Sequence, residues 1–343
     1  MSRSGGEKER KYESDESRID SGIDSYKSIS RDPYWSLQSS EEKDKSSCGT
    51  EERLDSAYAS SSLTVDSLGD FIEKCSISEG ENATDSENNN EEEVNLLTTV
   101  TEDGDTILHL AIIHEEQHFA HQLIELFPRE LLDIQNNLYQ TPLHLATYLN
   151  QHSIVKDLVA NGVSLELQDQ DGNTPLHVAC ERGFWDCANE MIHNASPNKL
   201  AHVLEAQNWR GLTCLHVATV HKQRRLMRLL MKKGVNLNTQ EGTSGKTALH
   251  MAVELHDVYM VNLLLNSGTD VDAAMFNGCT ALHLAVGRQD AAVANRLCQA
   301  GADKMIRNME DETALDLADG NDDILALFPF DDIQIMGRTV INF

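Results

Sequence analysis

One six-residue phrase governs this chain. It reads TILHLA at Thr106, TPLHLA at Thr141, TPLHVA at Thr174, TCLHVA at Thr213, TALHMA at Thr247 and TALHLA at Thr280, with a worn copy, TALDLA, at Thr313. Successive threonines stand 35, 33, 39, 34, 33 and 33 residues apart. A period of this length means one small supersecondary unit per copy, which cannot bury its apolar face alone and becomes stable only when stacked on its neighbours.

The residues within a unit say how it folds. Thr141 can cap a helix by accepting from orphan backbone N–H groups, and Pro142 fits the first helical position, where no N–H is required. Leu143 and Ala146 then face inward, and a second helix carries Ile154, Val155, Leu158 and Val159 on one stripe. Gly162, Gly234, Gly268 and Gly301 recur where that second helix should end in a left-handed turn. Hairpin-like tips such as Asp171-Gly172 and Asn277-Gly278 join the units. The 33-residue period with this phrase is that of ankyrin repeats. The expected fold is therefore an all-α ankyrin-repeat solenoid of six clear repeats and a degenerate seventh. The 39-residue interval from Thr174 to Thr213 predicts a longer loop at residues 194–202.

Composition divides the chain. Residues 1–96 hold 24 acidic and 11 basic side chains, a net of −13 out of −28 for all 343 residues. This head is rich in Ser, Glu, Asp and Asn and too poor in apolar residues to offset the entropy of ordering, so disorder is expected. We divide the chain into an acidic regulatory region (1–95), the repeat domain (96–328) and a C-terminal tail (329–343). Leu63, Val65, Leu68, Phe71 and Ile72 leave three readings open: an export signal, a docking helix or a transient apolar cluster.

The charge balance argues against direct binding of nucleic acid, which needs a basic surface, and favours a basic protein partner. No apolar run is long enough to span a membrane, so no membrane partner is expected. Seven scattered cysteines without paired spacing read as reduced thiols of an intracellular protein.

Tempting chemistry dissolves on inspection. His109, His144, His177, His216, His250 and His283 occur once per repeat, and stacked helices some 8–10 Å apart keep neighbouring copies from sharing a metal ion. Each ring is expected to bond nearby backbone and the phrase's threonine. The stretch EGTSGKT (residues 241–247) imitates a phosphate loop, but Gln240 stands where that motif needs glycine. No cofactor, metal or enzyme activity is expected.

Particular stretches carry a resemblance. These are DSGIDS (20–25), DSAYASSSL (55–63), EDGDTILHLAIIHE (102–115), LDIQNNLYQT (132–141), QEGTSGKTALH (240–250) and LFPFDDI (327–333). Together with the repeats and the acidic head, they make the chain resemble the I-kappa-B family of NF-kappa-B inhibitors. The resemblance implies a cytoplasmic protein, shuttling through the nucleus left open, that binds Rel-homology NF-kappa-B dimers, covers their nuclear-localisation segment and blocks DNA binding. A nuclear ankyrin co-regulator of Rel-dependent transcription is the alternative.

It further implies that Asp103 and Asp105 at the first tip, and Glu115 and Glu116 after the first helix, meet the basic nuclear signal. In the head, Asp20, Ser21, Gly22 and Ser25 would form a degron. An I-kappa-B kinase would phosphorylate both serines, an F-box ubiquitin-ligase receptor would read them, and Lys11, then Lys8, would accept ubiquitin. Each phosphate adds about −1.5 to −2 charges and three acceptor oxygens. Trp209 and Arg210, at the tip before the fourth phrase, are further candidates for partner contact, the indole being either an exposed anchor or buried against the extra loop. The segment LFPFDDI either caps the open end of the stack, the favoured reading, or reaches the partner.

Overall fold

The structure, a computed structural model, describes residues 101–318 and 320–328. The degron, its lysines, residues 63–72 and the tail from residue 329 lie outside the described residues.

Within the described residues, six helix pairs follow one another: α1 (Ile107–Ile113) with α2 (Gln117–Leu126), α4 (Pro142–Tyr148) with α5 (His152–Ala160), α6 (Pro175–Arg182) with α7 (Trp185–Asn194), α9 (Cys214–Val220) with α10 (Arg224–Lys232), α11 (Ala248–Glu254) with α12 (Val258–Asn266), and α13 (Ala281–Gly287) with α14 (Ala291–Gln299). Short helices α3 (Arg129–Leu132) and α8 (Pro197–Glu205) fill the connections after α2 and α7. The degenerate copy forms a 3-10 turn at Ala314–Leu317, followed by α15 (Asp322–Leu325).

The phrase performs the same local task each time. Thr141 sits in extended backbone, and its hydroxyl caps α4 by accepting from the His144 N–H. The imidazole answers: Nδ1 accepts the Thr141 backbone N–H at 3.2 Å and lies 2.9 Å from its hydroxyl. Two orphan donors are thereby satisfied, worth about 1 kcal/mol per cap. Since Nδ1 accepts, the proton belongs on Nε2, which donates 3.0 Å to the carbonyl of Asn173 in the next unit. The same reach joins His109 to Gln140, His177 to Leu212, His250 to Cys279 and His283 to Glu312. Each of these five histidines therefore caps its own helix and staples it to the following repeat. At the worn copy Asp316 replaces histidine and keeps the cap, accepting from the Thr313 N–H at 2.9 Å and from Thr313 Oγ1 at 2.7 Å.

Two left-handed positions punctuate every unit. Nine residues after the phrase's threonine come Glu115, Asn150, Gly183, Lys222, His256 and Gln289, all at positive φ. Two residues before it come Gly104, Tyr139, Gly172, Gly211, Gly245, Gly278 and Asp311, again all at positive φ. Gly162, Gly234, Gly268 and Gly301 end the outer helices in the same region, as the sequence predicts. A Cβ at these four would meet no atom within 4 Å, so backbone conformation alone selects glycine there.

The predicted loop at residues 194–202 is instead largely helix α8. Pro197 occupies its first turn, and Val203 and Leu204 are buried. The surplus residues were long enough to bury an apolar edge of their own, which an open loop would have left in water. At the far end, Ile324 and Phe328 are buried, and Lys304 donates to the Leu327 carbonyl at 2.6 Å while lying over the Phe328 ring. These described residues of the LFPFDDI segment pack onto the terminal unit.

Candidate protein-binding surface

The tips are tied into a ladder by backbone bonds. Asn137 N–H donates to Asp103, Gln170 to Leu138, Trp209 to Asp171, Phe276 to Ser244 and Met309 to Asn277, at 2.9–3.1 Å. Four tips are braced from within by an Asx side chain: Asn136, Asp169, Asn208 and Asn308 accept backbone N–H groups two and four residues ahead. The fifth tip is one residue longer, and the longer side chain of Glu241 braces it. Its carboxylate accepts from Thr243 and Ser244, through both backbone and hydroxyl, at 2.5–2.6 Å. Burial alone would raise its pKa, but the bonds from Ser244 and Thr243 prevail and hold it at about 2. The loop that imitates a phosphate cradle is thus already filled by its own anion.

A fixed tip presents defined side chains. Trp209 is 69% exposed, and one edge of its indole lies against Gly172, where a Cβ would come within 2.6 Å of the ring. Of the two readings of Trp209, the structure has the exposed one. Arg210 beside it is exposed as well. Phe276 is set against Gly245 in the same way, and Tyr139 and Met309 are also largely exposed. Tyr139 takes a left-handed position that glycine fills in five other tips, and is 61% exposed. Its departure from the glycine pattern was readable in the sequence as the one aromatic at that place.

The four acidic candidates do not form one cluster. Asp103 is exposed at the first tip, while Glu115 is exposed and Glu116 half-buried beyond the other end of α1. The seven residues of α1, about 10 Å of helix, lie between the two groups. Asp105 is corrected by the structure: it is only 2% exposed, and its carboxylate accepts from Asn136 Nδ2 at 2.8 Å. A bond to a residue 31 positions away draws it inward, and it holds tips together rather than facing a partner. Trp209 and Arg210 lie three units further along, some 24–30 Å at usual helix spacing.

Other polar groups serve the scaffold. Burial pushes the pKa of His144, His177, His216 and His250 down to about 4, against the raising effect of their bonds to backbone. Burial likewise pushes the Cys187 thiol up to about 12 and raises Cys214, Cys279 and Cys298. Among the described residues no group of three or more His, Cys, Asp or Glu converges as a metal site, and no helix is long and apolar enough to cross a membrane. What the surface offers is an extended row of fixed tips with aromatic and acidic side chains, the geometry of a protein-binding scaffold.

Comparison with known proteins agrees. A family model described as ankyrin repeats (three copies) matches overlapping windows from residue 82 to residue 334: 82–169, 125–201, 143–241, 200–275, 228–308 and 249–334. The chain belongs to the ankyrin-repeat family.

Its named relatives place it with the I-kappa-B proteins. It is 40% identical to human NF-kappa-B inhibitor epsilon over 84% of this chain and 58% of the relative, and 44% identical to human NF-kappa-B inhibitor alpha over 41% of this chain and 45% of the relative. The chain thus spans little more than half the length of the first of these. Among solved structures, the ankyrin repeat domain of Bcl-3, described as a unique member of the IkappaB family, matches with a TM-score of 0.62 and 38% identity over 66% of this chain and 99% of that one.

Proposed function

We propose that this protein inhibits NF-kappa-B by gripping a Rel-homology dimer along its tips, masking the dimer's nuclear-localisation segment and keeping it from DNA. The likeness to NF-kappa-B inhibitors over most of the chain carries this reading. Exposed Asp103 and Glu115, with Glu116, supply carboxylates at both ends of α1 for a basic segment. Trp209 supplies a rigid aromatic of the kind that anchors interfaces, with Arg210 alongside. A strongly acidic surface speeds encounter with a basic partner. Retention in the cytoplasm would end when an I-kappa-B kinase phosphorylates Ser21 and Ser25 in the element around Asp20 and Gly22. An F-box ubiquitin-ligase receptor would then direct ubiquitin to Lys11 or Lys8 and the chain to the proteasome.

The test adds the protein to a Rel dimer already bound to its DNA site. An inhibitor strips the DNA; a ternary complex would support the co-regulator reading instead. Reversing charge at Asp103, Glu115 and Glu116 together should weaken dimer binding at least tenfold at low salt, and unchanged affinity would remove those residues from the interface. Ser21→Ala with Ser25→Ala should leave dimer binding intact and block stimulus-induced loss of the protein.

A further inference from the structure

Against the acidic whole, one element is strongly basic. Residues 221–233, HKQRRLMRLLMKK, hold six of the 28 Lys and Arg side chains and no carboxylate. Leu226, Met227, Leu229 and Leu230 bury the inward stripe of α10, while Lys222, Arg224, Arg225, Arg228 and Lys232 are exposed. The guanidiniums are held in place by neighbouring rings. Arg225 lies over Trp185 of α7 at 4.9 Å, and Arg224 and Arg228 lie over Tyr259 of α12 at 4.7 and 5.5 Å. The two flanking outer helices carry three carboxylates, counting the cap of α12: Asp186 and Glu190 on α7, and Asp257, which accepts from Arg224 at 2.8 Å. Six cations against three anions leave a positive strip on the outer face, which the repeat architecture itself does not require.

We infer that this strip of α10 is a docking surface for the chain's own acidic segment, residues 79–93. That segment, EGENATDSENNNEEE, carries seven carboxylates and no base. Its reach suffices. From the first outer helix to the fourth is three spacings, about 24–30 Å. The tether starts at Thr101 by the first tip and must also cross to the outer face, so the extended chain from Glu93, about 26–29 Å, falls short, whereas that from Asp85, about 53–58 Å, suffices. A tether of such length supplies the segment at millimolar effective concentration, above that of most acidic partners in trans. Planar guanidiniums stacked on rings are pre-organised for carboxylate pairing, so little side-chain freedom is lost on docking. This inference stands apart from the binding of Rel dimers, which uses the tips.

Zero-length carbodiimide coupling of the full chain, mapped by mass spectrometry, tests it by joining lysines to carboxylates in contact. Lys222 and Lys232 should couple mainly to carboxylates of residues 79–93, with yield falling several-fold in 1 M NaCl, where charge interactions are screened beyond about 3 Å. Glu81→Lys, Asp85→Lys and Glu87→Lys together should cut those links at least fivefold without altering unfolding by urea. Coupling chiefly to other carboxylates, or a yield indifferent to that triple substitution, overturns the proposal. So do mixed links in an equal mixture of 15N-labelled and unlabelled protein, which would make a second copy the occupant. A 20-base-pair duplex that protects Lys222 and Lys232 from coupling would assign the strip to nucleic acid and also overturn it.

Discussion

Asn136 Nδ2 donates to the Asp105 carboxylate across a repeat boundary at 2.8 Å, in a pocket where both side chains are buried. Asp105→Ala should therefore lower stability by about 1–3 kcal/mol, because a buried amide loses its acceptor. Exposed Asp103→Ala should change it by less than about 0.5 kcal/mol. Urea midpoints separate the two, and equal midpoints would refute the division between a structural and a surface aspartate.

Tyr139 holds φ at 58° at a place where five other tips use glycine. A left-handed residue with a Cβ costs roughly 1–2 kcal/mol, partly offset by the extra freedom glycine has when unfolded. Tyr139→Gly should raise stability by up to about 1 kcal/mol. If the exposed ring meets a partner, the same variant binds that partner more weakly. A variant less stable than the parent would show that the ring supports the fold.

The histidine staples give stability a pH dependence of defined sign. His144, His177, His216 and His250 titrate near 4 in the folded chain and near 6.5 when unfolded, because burial disfavours the cation. Folded pKa lies below unfolded pKa, so this stability is fully present above about pH 6.5, falls as pH drops towards 4, and is flat below. Each ring contributes up to about 3 kcal/mol across that window. Replacing His144 by Gln should reduce the slope of unfolding free energy against pH between 6.5 and 4; an unchanged slope would contradict the assignment.

Asp169 does in the third tip what Asn136 and Asn208 do in the second and fourth, accepting the Asp171 and Asn173 N–H groups at 2.9 and 2.8 Å. Burial pushes its pKa up to about 6, against the lowering effect of those two bonds. Asp169→Asn keeps both acceptor bonds and removes the buried charge. It should stabilise the chain by roughly 1 kcal/mol at pH 8, with the gain shrinking as pH falls through 6 and vanishing below about 3.8, where the aspartate is protonated both folded and unfolded. Urea unfolding at pH 8 and pH 3.5 reads both outcomes.

The sequence held the repeat architecture openly because each phrase carries its own cap, first-turn residue and inward leucine within six positions. His144 is legible for the same reason: its partner Thr141 is three residues away. Asp105 was not, since its burial depends on Asn136 in the next unit. Glu241 stayed hidden in a motif-like stretch because one inserted residue turned an Asx brace into a longer carboxylate brace. In α8 a usable signal was present, with Leu200, Val203 and Leu204 at helical spacing behind Ser196-Pro197, but the surplus length alone suggested an open loop.

Glu254 ends α11 with its side chain fully buried, and its Oε1 lies 3.2 Å from both Lys246 Nζ and Arg288 NH2. Lys246 is nearly as buried, so this is an ion pair inside the stack that binds the fifth tip to its own helix and, through Arg288, to the sixth unit. The Coulomb attraction of such a pair is largely offset by the cost of dehydrating both charges, whereas a single survivor is left uncompensated. Glu254→Ala should cost about 3–5 kcal/mol. Adding Lys246→Met to that variant should recover more than half of the loss, since the stranded ammonium is gone and its apolar stem retained. A double-mutant cycle by urea unfolding measures the coupling. Additive losses would mean that Lys246 reaches water when Glu254 is removed, and that the pair does not join the fifth tip to the stack.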